Sequence, residues 1–288
     1  MHQFKNPRVP LYAGAALISL SPVWVKLADV PPTSSAFWRV VIGGGALGVY
    51  LLATGRRLDV SRTAIAILLL AALFFTADLW VWHRSIQYIG PGLATLLGNF
   101  QVFFMMLAGV LFLHQRPTPR QLLAAPLAVC GLTLIVGLDW SVLAPEYRLG
   151  LLFGLLTAVM YTGYMLALRE ARQRSAHRSA AREVAVISLA TAILLTLIAA
   201  AENTSLAIPT LVDAGWLISY GLLSHCVGWL MIGASLTRVS PTEAGLALLL
   251  QPTLSFVWDV ALFARPVTAL ELTGAVIVLG ALYLGTGD

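Results

Sequence analysis

Apolar runs of about twenty residues recur along the whole chain and constrain its fold more than any other feature. One of them, AGLALLLQPTLSFVWDVALF at 244–263, contains a single ionisable residue, Asp259. A helix of about 20 residues crosses the ~30 Å hydrocarbon layer of a bilayer. Charged residues make up only 11% of the 288 residues, whereas soluble domains carry about 25%. The sequence therefore predicts an all-α integral membrane protein.

Ten membrane-spanning helices are predicted from these runs and from the residues that separate them. Proline opens the fourth, fifth and ninth spans, at Pro91, Pro119 and Pro241. This residue suits the first turn of a helix, where a missing N–H group costs nothing. The predicted spans are 11–28, 33–53, 63–83, 91–113, 119–138, 148–168, 183–200, 213–236, 241–263 and 268–286.

The distribution of basic residues predicts the orientation of these spans. An even number of crossings puts both termini on the same side. With that side in the cytoplasm, the inner segments carry thirteen Lys or Arg residues and the outer loops carry three, Arg84, Arg148 and Arg265. Cytoplasmic loops are enriched in Lys and Arg. We therefore expect cytoplasmic N- and C-termini in a multi-pass membrane protein.

Two stretches of the chain correspond to each other at an offset of 150 residues. PGLATLLGNFQVFFMMLAGVLF at 91–112 matches PTEAGLALLLQPTLSFVWDVAL at 241–262, so that Pro91 pairs with Pro241 and Gln101 pairs with Gln251. Chance similarity among apolar helices is the alternative explanation. Matched proline, amide and helix-capping residues at one offset favour an internal duplication.

A duplication of five crossings has a consequence for the fold. Because five is odd, the second copy enters the membrane from the opposite face. We therefore predict two inverted five-helix repeats, 1–142 and 143–288, within one transmembrane domain around a central cavity. Secondary transporters with this architecture bind substrate near the bilayer midplane, between the repeats.

The order of several motifs resembles a known family. The resemblance rests on four features. These are SIQYIGPGLATLLGNFQ at 85–101, SLTRVSPTEAGLALLLQP at 235–252, AFWR at 36–39, and a P-T-x-x-Q/E signal at 117–124 with a looser copy at 266–274. They are similar to the EamA type of the drug/metabolite transporter (DMT) superfamily, and most similar to bacterial aromatic amino-acid exporters of the YddG type.

This resemblance implies an inner-membrane carrier that exports amino acids, including Phe, Tyr and Trp, by alternating access. It implies a monomer in the lipid bilayer that needs no ATPase subunit. The alternative within the superfamily is a multidrug or toxic-cation efflux carrier, or an exporter of another small metabolite.

Five ionisable residues lie within the predicted spans, in the outer third of each: Lys26, Arg39, Asp78, His83 and Asp259. Ionisable residues inside a membrane are candidates for function. We expect them to line an outer vestibule and to form or break pairs as the outer side closes. The alternative is static ion pairing, or long side chains that reach back to the interface.

Polar and aromatic residues near the middle of the spans are candidates for the cavity wall. His225, Gln101 and Gln251 lie near mid-depth, where an amide in contact with lipid would be costly. Hydrogen bonding between helices is the alternative for the two glutamines, and a core histidine with satisfied hydrogen bonds is the alternative for His225. Pro252 removes one helical hydrogen bond and is predicted to act as a hinge. The predicted lining residues are Trp24, His83, Asn99, Phe100, Gln101, Tyr161, Tyr164, His225, Trp229 and Gln251.

Several classes of activity are disfavoured by the sequence. Neither Lys5 nor Lys26 follows a phosphate-binding G-x-x-x-x-G-K-[ST] pattern, and no H-E-x-x-H metal motif occurs. We therefore expect no catalytic residues, metal, cofactor or nucleic-acid partner. Two energy sources stay open, namely a substrate gradient or proton coupling through Asp78, His83, His225 or Asp259.

Overall fold

The computed structural model describes residues 6–55, 62–114, 116–136, 143–174, 180–236 and 241–286. Within these ranges the chain forms helices and their connections, and no strand. We number the ten helical elements α1 to α10. They are α1 (Arg8–Ser19 and Ser21–Leu27), α2 (Pro32–Ala53), α3 (Arg62–Ile89), α4 (Pro91–Gly98 and Gln101–Leu113), α5 (Pro119–Val136), α6 (Pro145–Arg174), α7 (Ala180–Ala201), α8 (Leu211–Ser219, Tyr220–Gly228 and Trp229–Leu236), α9 (Pro241–Phe263) and α10 (Ala269–Thr286).

The length and hydropathy of these elements agree with a multi-pass membrane protein. Among the described residues, α1 to α8 each contain a stretch long and apolar enough to cross a membrane. The last two contain shorter apolar helices, Ala247–Phe263 and Ala269–Gly285. Leucine, isoleucine and valine side chains stand exposed along most of the helices, as expected when lipid is the solvent.

Two helices extend further than the predicted spans. α3 runs to Ile89 rather than to residue 83, and α6 covers Pro145–Arg174 rather than 148–168. Polar residues continue both helices: Arg84 lies in the last turns of α3, and Arg174 pairs with Glu170 at 2.7 Å at the end of α6. Hydropathy marks the hydrocarbon layer, whereas the helix ends where the backbone turns, at Gly90 with φ of 85°.

The helices pack in a consistent set of pairs. α2 packs against α7, α4 against α9, and α5 against α10; α3 packs along α6, and α1 packs against α8 and α9. At one crossing the backbones are nearly in contact, because a Cβ atom on Gly131 would lie 2.8 Å from the carbonyl oxygen of Gly274. Close approach through small residues is the usual way that membrane helices associate.

Three helices are irregular near their middle. α1 is interrupted at Leu20, α4 is interrupted at Asn99 and Phe100, and α8 contains a π-helical segment, Tyr220–Gly228. α9 is continuous through Pro252, so the predicted hinge does not interrupt its helix. π-helical segments inside α-helices often occur at functional sites.

Candidate functional site

A cavity of about 120 Å³ lies between the helices, and all three irregular segments border it. It is smaller than the roughly 300–1,000 Å³ pockets that bury drug-sized ligands. Residues from α1 to α4 and from α6 to α9 line it: Ile18, Ser21, Pro22, Arg39, Phe75, Asp78, Trp82, Thr95, Gly98, Asn99, Gln101, Thr157, Tyr161, Tyr164, Val184, His225, Trp229 and Gln251.

The cavity brings together most of the residues predicted to face substrate. Seven of the ten predicted lining residues border it, and so do two of the predicted charges, Arg39 and Asp78. The longer α3 places Asp78 near the middle of its helix rather than in the outer third. Arg39 and Asp78 therefore lie at the same cavity as His225.

The remaining predicted residues lie elsewhere. Trp24 and Phe100 pack in the largest apolar cluster and do not border the cavity. His83 is fully buried beside it, hydrogen-bonded to neighbouring residues. Lys26 is exposed near the end of α1. The predictions used only the position of each residue along its helix, which does not specify the direction in which its side chain points around the helix axis.

Asp259 belongs to a different cluster, where α9 ends and α4 begins. Its carboxylate accepts a hydrogen bond from the backbone N–H of Gly92 at 3.0 Å and lies 3.6 Å from Arg265. A carboxylate at a helix N-terminus is stabilised by the helix dipole. Asp259 thus caps α4 from another helix and is paired within this structure.

Arg39 is the best-connected side chain of the cavity. Its Nε donates to Nδ1 of His225 at 3.4 Å, and its Nη1 donates to the hydroxyl of Tyr220 at 2.9 Å. The guanidinium carbon lies 5.0 Å from the ring centre of Tyr220, 5.7 Å from that of Trp82 and 5.8 Å from that of Phe75. Cation–π contacts of this kind stabilise a buried positive charge.

Asp78 has no hydrogen-bond partner among the described residues. Its Oδ1 is buried without a hydrogen-bond partner. No nitrogen of Arg39 lies within 4.0 Å of a carboxylate oxygen of Asp78, the limit for an ion pair. A buried charge is costly unless it is paired. The cavity therefore holds a guanidinium group and a carboxyl group that are not paired with each other.

Aromatic rings and amides complete the wall. Phe75 and Tyr164 stack with ring centres 4.8 Å apart, and Tyr161 lies 5.5 Å from Tyr164. Asn99 donates to the carbonyl of Thr95 in the first half of α4. No cluster of three or more potential metal-ligating side chains occurs in the part of the chain that the structure describes.

Sequence reasoning missed the residues that hold this site in place. Ser188 contacts Nε2 of His225 at 2.9 Å, and Tyr220 links Arg39 to His83. A serine and a tyrosine within apolar spans carry no distinctive pattern. The five-residue spacing of Tyr220 and His225 gains meaning only from the π-helical segment that contains both, which the sequence does not indicate.

A second polar cluster, also missed, joins the ends of α2, α3 and α7. Glu202 accepts hydrogen bonds from Thr33 at 2.7 Å, from the indole of Trp80 at 2.7 Å and from Arg84 at 2.6 Å. Burial raises the pKa of Glu202, but these hydrogen bonds and the charge of Arg84 outweigh it and hold the pKa below its ordinary value. We call Thr33, Trp80, Arg84 and Glu202 the end cluster.

Known proteins resemble this chain in sequence or in fold. A protein named uncharacterized inner membrane transporter YhbE, from Escherichia coli, is 24% identical over 95% of this chain and 88% of its own length. The pseudopaline exporter CntI of Pseudomonas aeruginosa is 24% identical over 88% of this chain and 85% of its own. A solved crystal structure superposes with a TM-score of 0.70 at 19% identity, over 97% of this chain and 98% of the other, and so shares its fold.

The family itself is identified by a sequence model. The model of the EamA-like transporter family matches residues 10–137 and again residues 148–286. Its members are membrane transporters rather than enzymes, and the relatives above are inner-membrane transporters and exporters. This chain is therefore a multi-pass inner-membrane protein that belongs to the EamA-like transporter family.

Proposed function

We propose that this transporter exports amino acids, especially aromatic ones, by alternating access. The observation that carries the proposal is a cavity that combines aromatic walls with the Arg39 guanidinium and the Asp78 carboxyl, which are not paired with each other. Ligand sites are usually apolar with a few placed polar groups. A zwitterion with an aromatic side chain matches each of these features.

The charge balance of the cavity favours a zwitterion over a simple cation or anion. A cation would pair with Asp78 and leave Arg39 without a counter-charge. An anion would pair with Arg39 and leave the buried Asp78 carboxyl without a hydrogen-bond partner. An uncompensated buried charge costs several kcal/mol, on the order of 3–5 when one partner of a pair is missing. A zwitterion leaves neither charge uncompensated.

The helix packing supports two inverted halves and thus alternating access. Adding or subtracting five converts each packed pair above into a packed pair. The pairs α2–α7, α4–α9 and α5–α10 map onto themselves, α3–α6 maps onto α8–α1, and α1–α9 maps onto α6–α4, which also pack together. This is the pattern that a two-fold axis between the two halves would produce, and with five crossings in each half such an axis lies in the membrane plane. The two matches of one family model to the two halves point the same way.

Export of a different small metabolite is the second candidate. The likeness to a pseudopaline exporter favours it, as does the small cavity, which would have to widen for a large aromatic substrate. Efflux of a multidrug or toxic-cation type is less well supported, because Arg39 is an unfavourable neighbour for a cation.

Counterflow with purified protein in liposomes tests the proposal. Vesicles loaded with unlabelled phenylalanine should accumulate labelled phenylalanine saturably, and tyrosine and tryptophan should compete. Protein-free vesicles and vesicles loaded with glucose are the controls. Accumulation of labelled organic cations but of no amino acid would contradict the proposal and favour the multidrug alternative.

A further inference from the structure

We propose that Arg39 binds the carboxylate of the substrate and Asp78 its ammonium group, and that Tyr220 and His225 are positioning residues that hold the Arg39 guanidinium in place. This inference rests on the proposed function, because it assigns the two ends of an amino acid within the same cavity.

The hydrogen bonds of Arg39 leave one edge of its guanidinium group free. Nε and Nη1 donate to His225 and Tyr220, which fixes the plane of the group. Among the described residues, Nη2 donates to no acceptor. A guanidinium group binds carboxylates through two parallel N–H donors in a fixed fork. The free edge at the cavity therefore presents donors suited to a carboxylate.

The two contacts on the Arg39 side are neutral acceptors. Nδ1 of His225 accepts from Arg39 and so carries no hydrogen, and its Nε2–H donates to Ser188 at 2.9 Å. One nitrogen without a hydrogen makes this ring a neutral imidazole. His225 thus orients the guanidinium without neutralising its charge.

Tyr220 is held in the same manner. Nδ1 of His83 lies 2.7 Å from the carbonyl oxygen of Leu79, which only accepts, so Nδ1 carries the hydrogen. Nε2 of His83 then accepts from the Tyr220 hydroxyl at 3.3 Å, and the Tyr220 oxygen accepts from Arg39. In this series of hydrogen bonds, from Arg39 through Tyr220 and His83 to Leu79, every donor meets an acceptor when His83 is neutral. None of these four residues carries a negative charge that would compete with a substrate carboxylate for Arg39.

Asp78 is the complementary anchor. The charged or titratable groups around it are Arg39 from α2, Tyr161 from α6 and Tyr220 from α8, and none of them donates a hydrogen bond to it. An α-amino acid carries its ammonium and carboxylate groups on one carbon, so one molecule supplies partners for both Asp78 and Arg39. A free amine or a free acid supplies only one.

Substrate analogues test the assignment in the unaltered protein. L-phenylalanine, phenethylamine and 3-phenylpropionate share a ring but carry both charges, only the ammonium, or only the carboxylate. Both analogues should inhibit phenylalanine counterflow at least about tenfold more weakly than phenylalanine itself, since each leaves a charged partner without a hydrogen bond. Equal inhibition by all three compounds would overturn the inference.

Variants separate the two anchors. Asp78→Asn should reduce the preference for phenylalanine over 3-phenylpropionate, and Arg39→Gln should reduce the preference over phenethylamine, each by about tenfold. Tyr220→Phe should also reduce the preference for phenylalanine over phenethylamine, by a smaller factor than Arg39→Gln. It should leave the preference over 3-phenylpropionate unchanged. Glu170→Gln is the matched control, because that carboxylate is solvent-accessible and pairs with Arg174 away from the cavity.

The outcomes distinguish this inference from the proposed function. A wild-type protein that moves no amino acid overturns the proposed function. A wild-type protein that moves phenylalanine, with variants that lower all transport and leave both preferences unchanged, overturns this inference alone and makes the two residues structural. A variant that does not elute as a single species in size-exclusion chromatography is replaced by two other tests of the inference. One is Arg39→Lys, which keeps the positive charge but not the two parallel donors. The other is the inhibition of the wild-type protein by the three analogues.

Discussion

Gly43 shows how a single residue sets the geometry of the site. A Cβ atom at Gly43 would lie 2.6 Å from Cδ2 of His225 and 2.7 Å from the carbonyl oxygen of Gly221. The absent side chain therefore lets α2 approach the π-helical segment of α8, which brings Arg39 to His225. Gly45, two residues further along α2, has no atom within 4 Å of a Cβ at its position.

We expect Gly43→Ala to destabilise the protein and Gly45→Ala not to do so. Overpacking typically costs about 1–3 kcal/mol, and here the displaced groups are a ring and a backbone carbonyl. At Gly45 the better helix propensity of alanine favours the variant by up to about 1 kcal/mol. Apparent melting temperatures in detergent and counterflow rates check both variants. Equal behaviour of the two would show that the close contact at Gly43 does not matter.

At the scale of elements, the end cluster ties three helices together at one end of the bundle. Glu202 follows α7, Thr33 opens α2, and Trp80 and Arg84 lie on α3, with the guanidinium carbon of Arg84 4.0 Å from the centre of the Trp80 ring. The segment after Glu202 is held too, because the indole of Trp38 donates to the carbonyl of Leu206 at 2.9 Å. This end of the helices is therefore fastened by polar contacts as well as by packing.

We expect Glu202→Gln to lower stability near neutral pH but not at acidic pH. Because folding depresses the pKa of Glu202 below its ordinary value of 4.5, its carboxylate stabilises the fold above that value. The contribution is lost as pH falls through the depressed pKa. At pH 7 the variant should lose about 1 kcal/mol, since the cluster is partly exposed, or roughly 2–4 °C in apparent melting temperature.

The pH series supplies its own control. Wild type and Glu202→Gln should begin to converge near pH 4.5 and should coincide only below the depressed pKa of Glu202, where both carry an uncharged side chain. Glu170→Gln should show a smaller loss at neutral pH, since its ion pair with Arg174 is more exposed. A difference for Glu202→Gln that stays constant from pH 7 to pH 4 would refute the electrostatic explanation.

At the scale of the whole molecule, the distribution of basic residues predicts which end of the bundle faces the cytoplasm. The end cluster and the Asp259–Arg265 pair lie where α3, α7 and α9 end and where α2, α4 and α10 begin. The positive-inside rule assigns this end to the periplasm. The two polar clusters would then close the outer side of the transporter.

Reporter fusions test this orientation. Alkaline phosphatase fused after Ser205, between α7 and α8, should be active, because this enzyme folds only outside the cytoplasm. Green fluorescent protein fused after residue 288 should fluoresce, as it does in the cytoplasm. An inactive phosphatase together with a dark C-terminal fusion would show the reverse orientation and would place the two polar clusters at the inner face.

The sequence alone determined the class of protein, its family and the approximate positions of the ten helices found among the described residues. These properties depend on local quantities, namely the length of an apolar run, the position of a proline and the spacing of motifs. Gln101, Gln251 and His225 were predicted at the cavity because polar groups at mid-depth avoid lipid, and Tyr161 and Tyr164 were predicted there because they share a helix face. Their part in transport stays a prediction.

Tertiary structure alone decided which of these residues meet. Arg39, Asp78 and Asp259 looked equivalent in the sequence, yet two border the cavity and the third caps α4. The partners Ser188, Tyr220 and Glu202 could not be predicted. Depth along a helix follows from sequence position, whereas the direction of a side chain around the helix axis and its partners depend on how neighbouring helices pack. Packing also determined that α4 breaks at Asn99 while α9 runs unbroken through its proline.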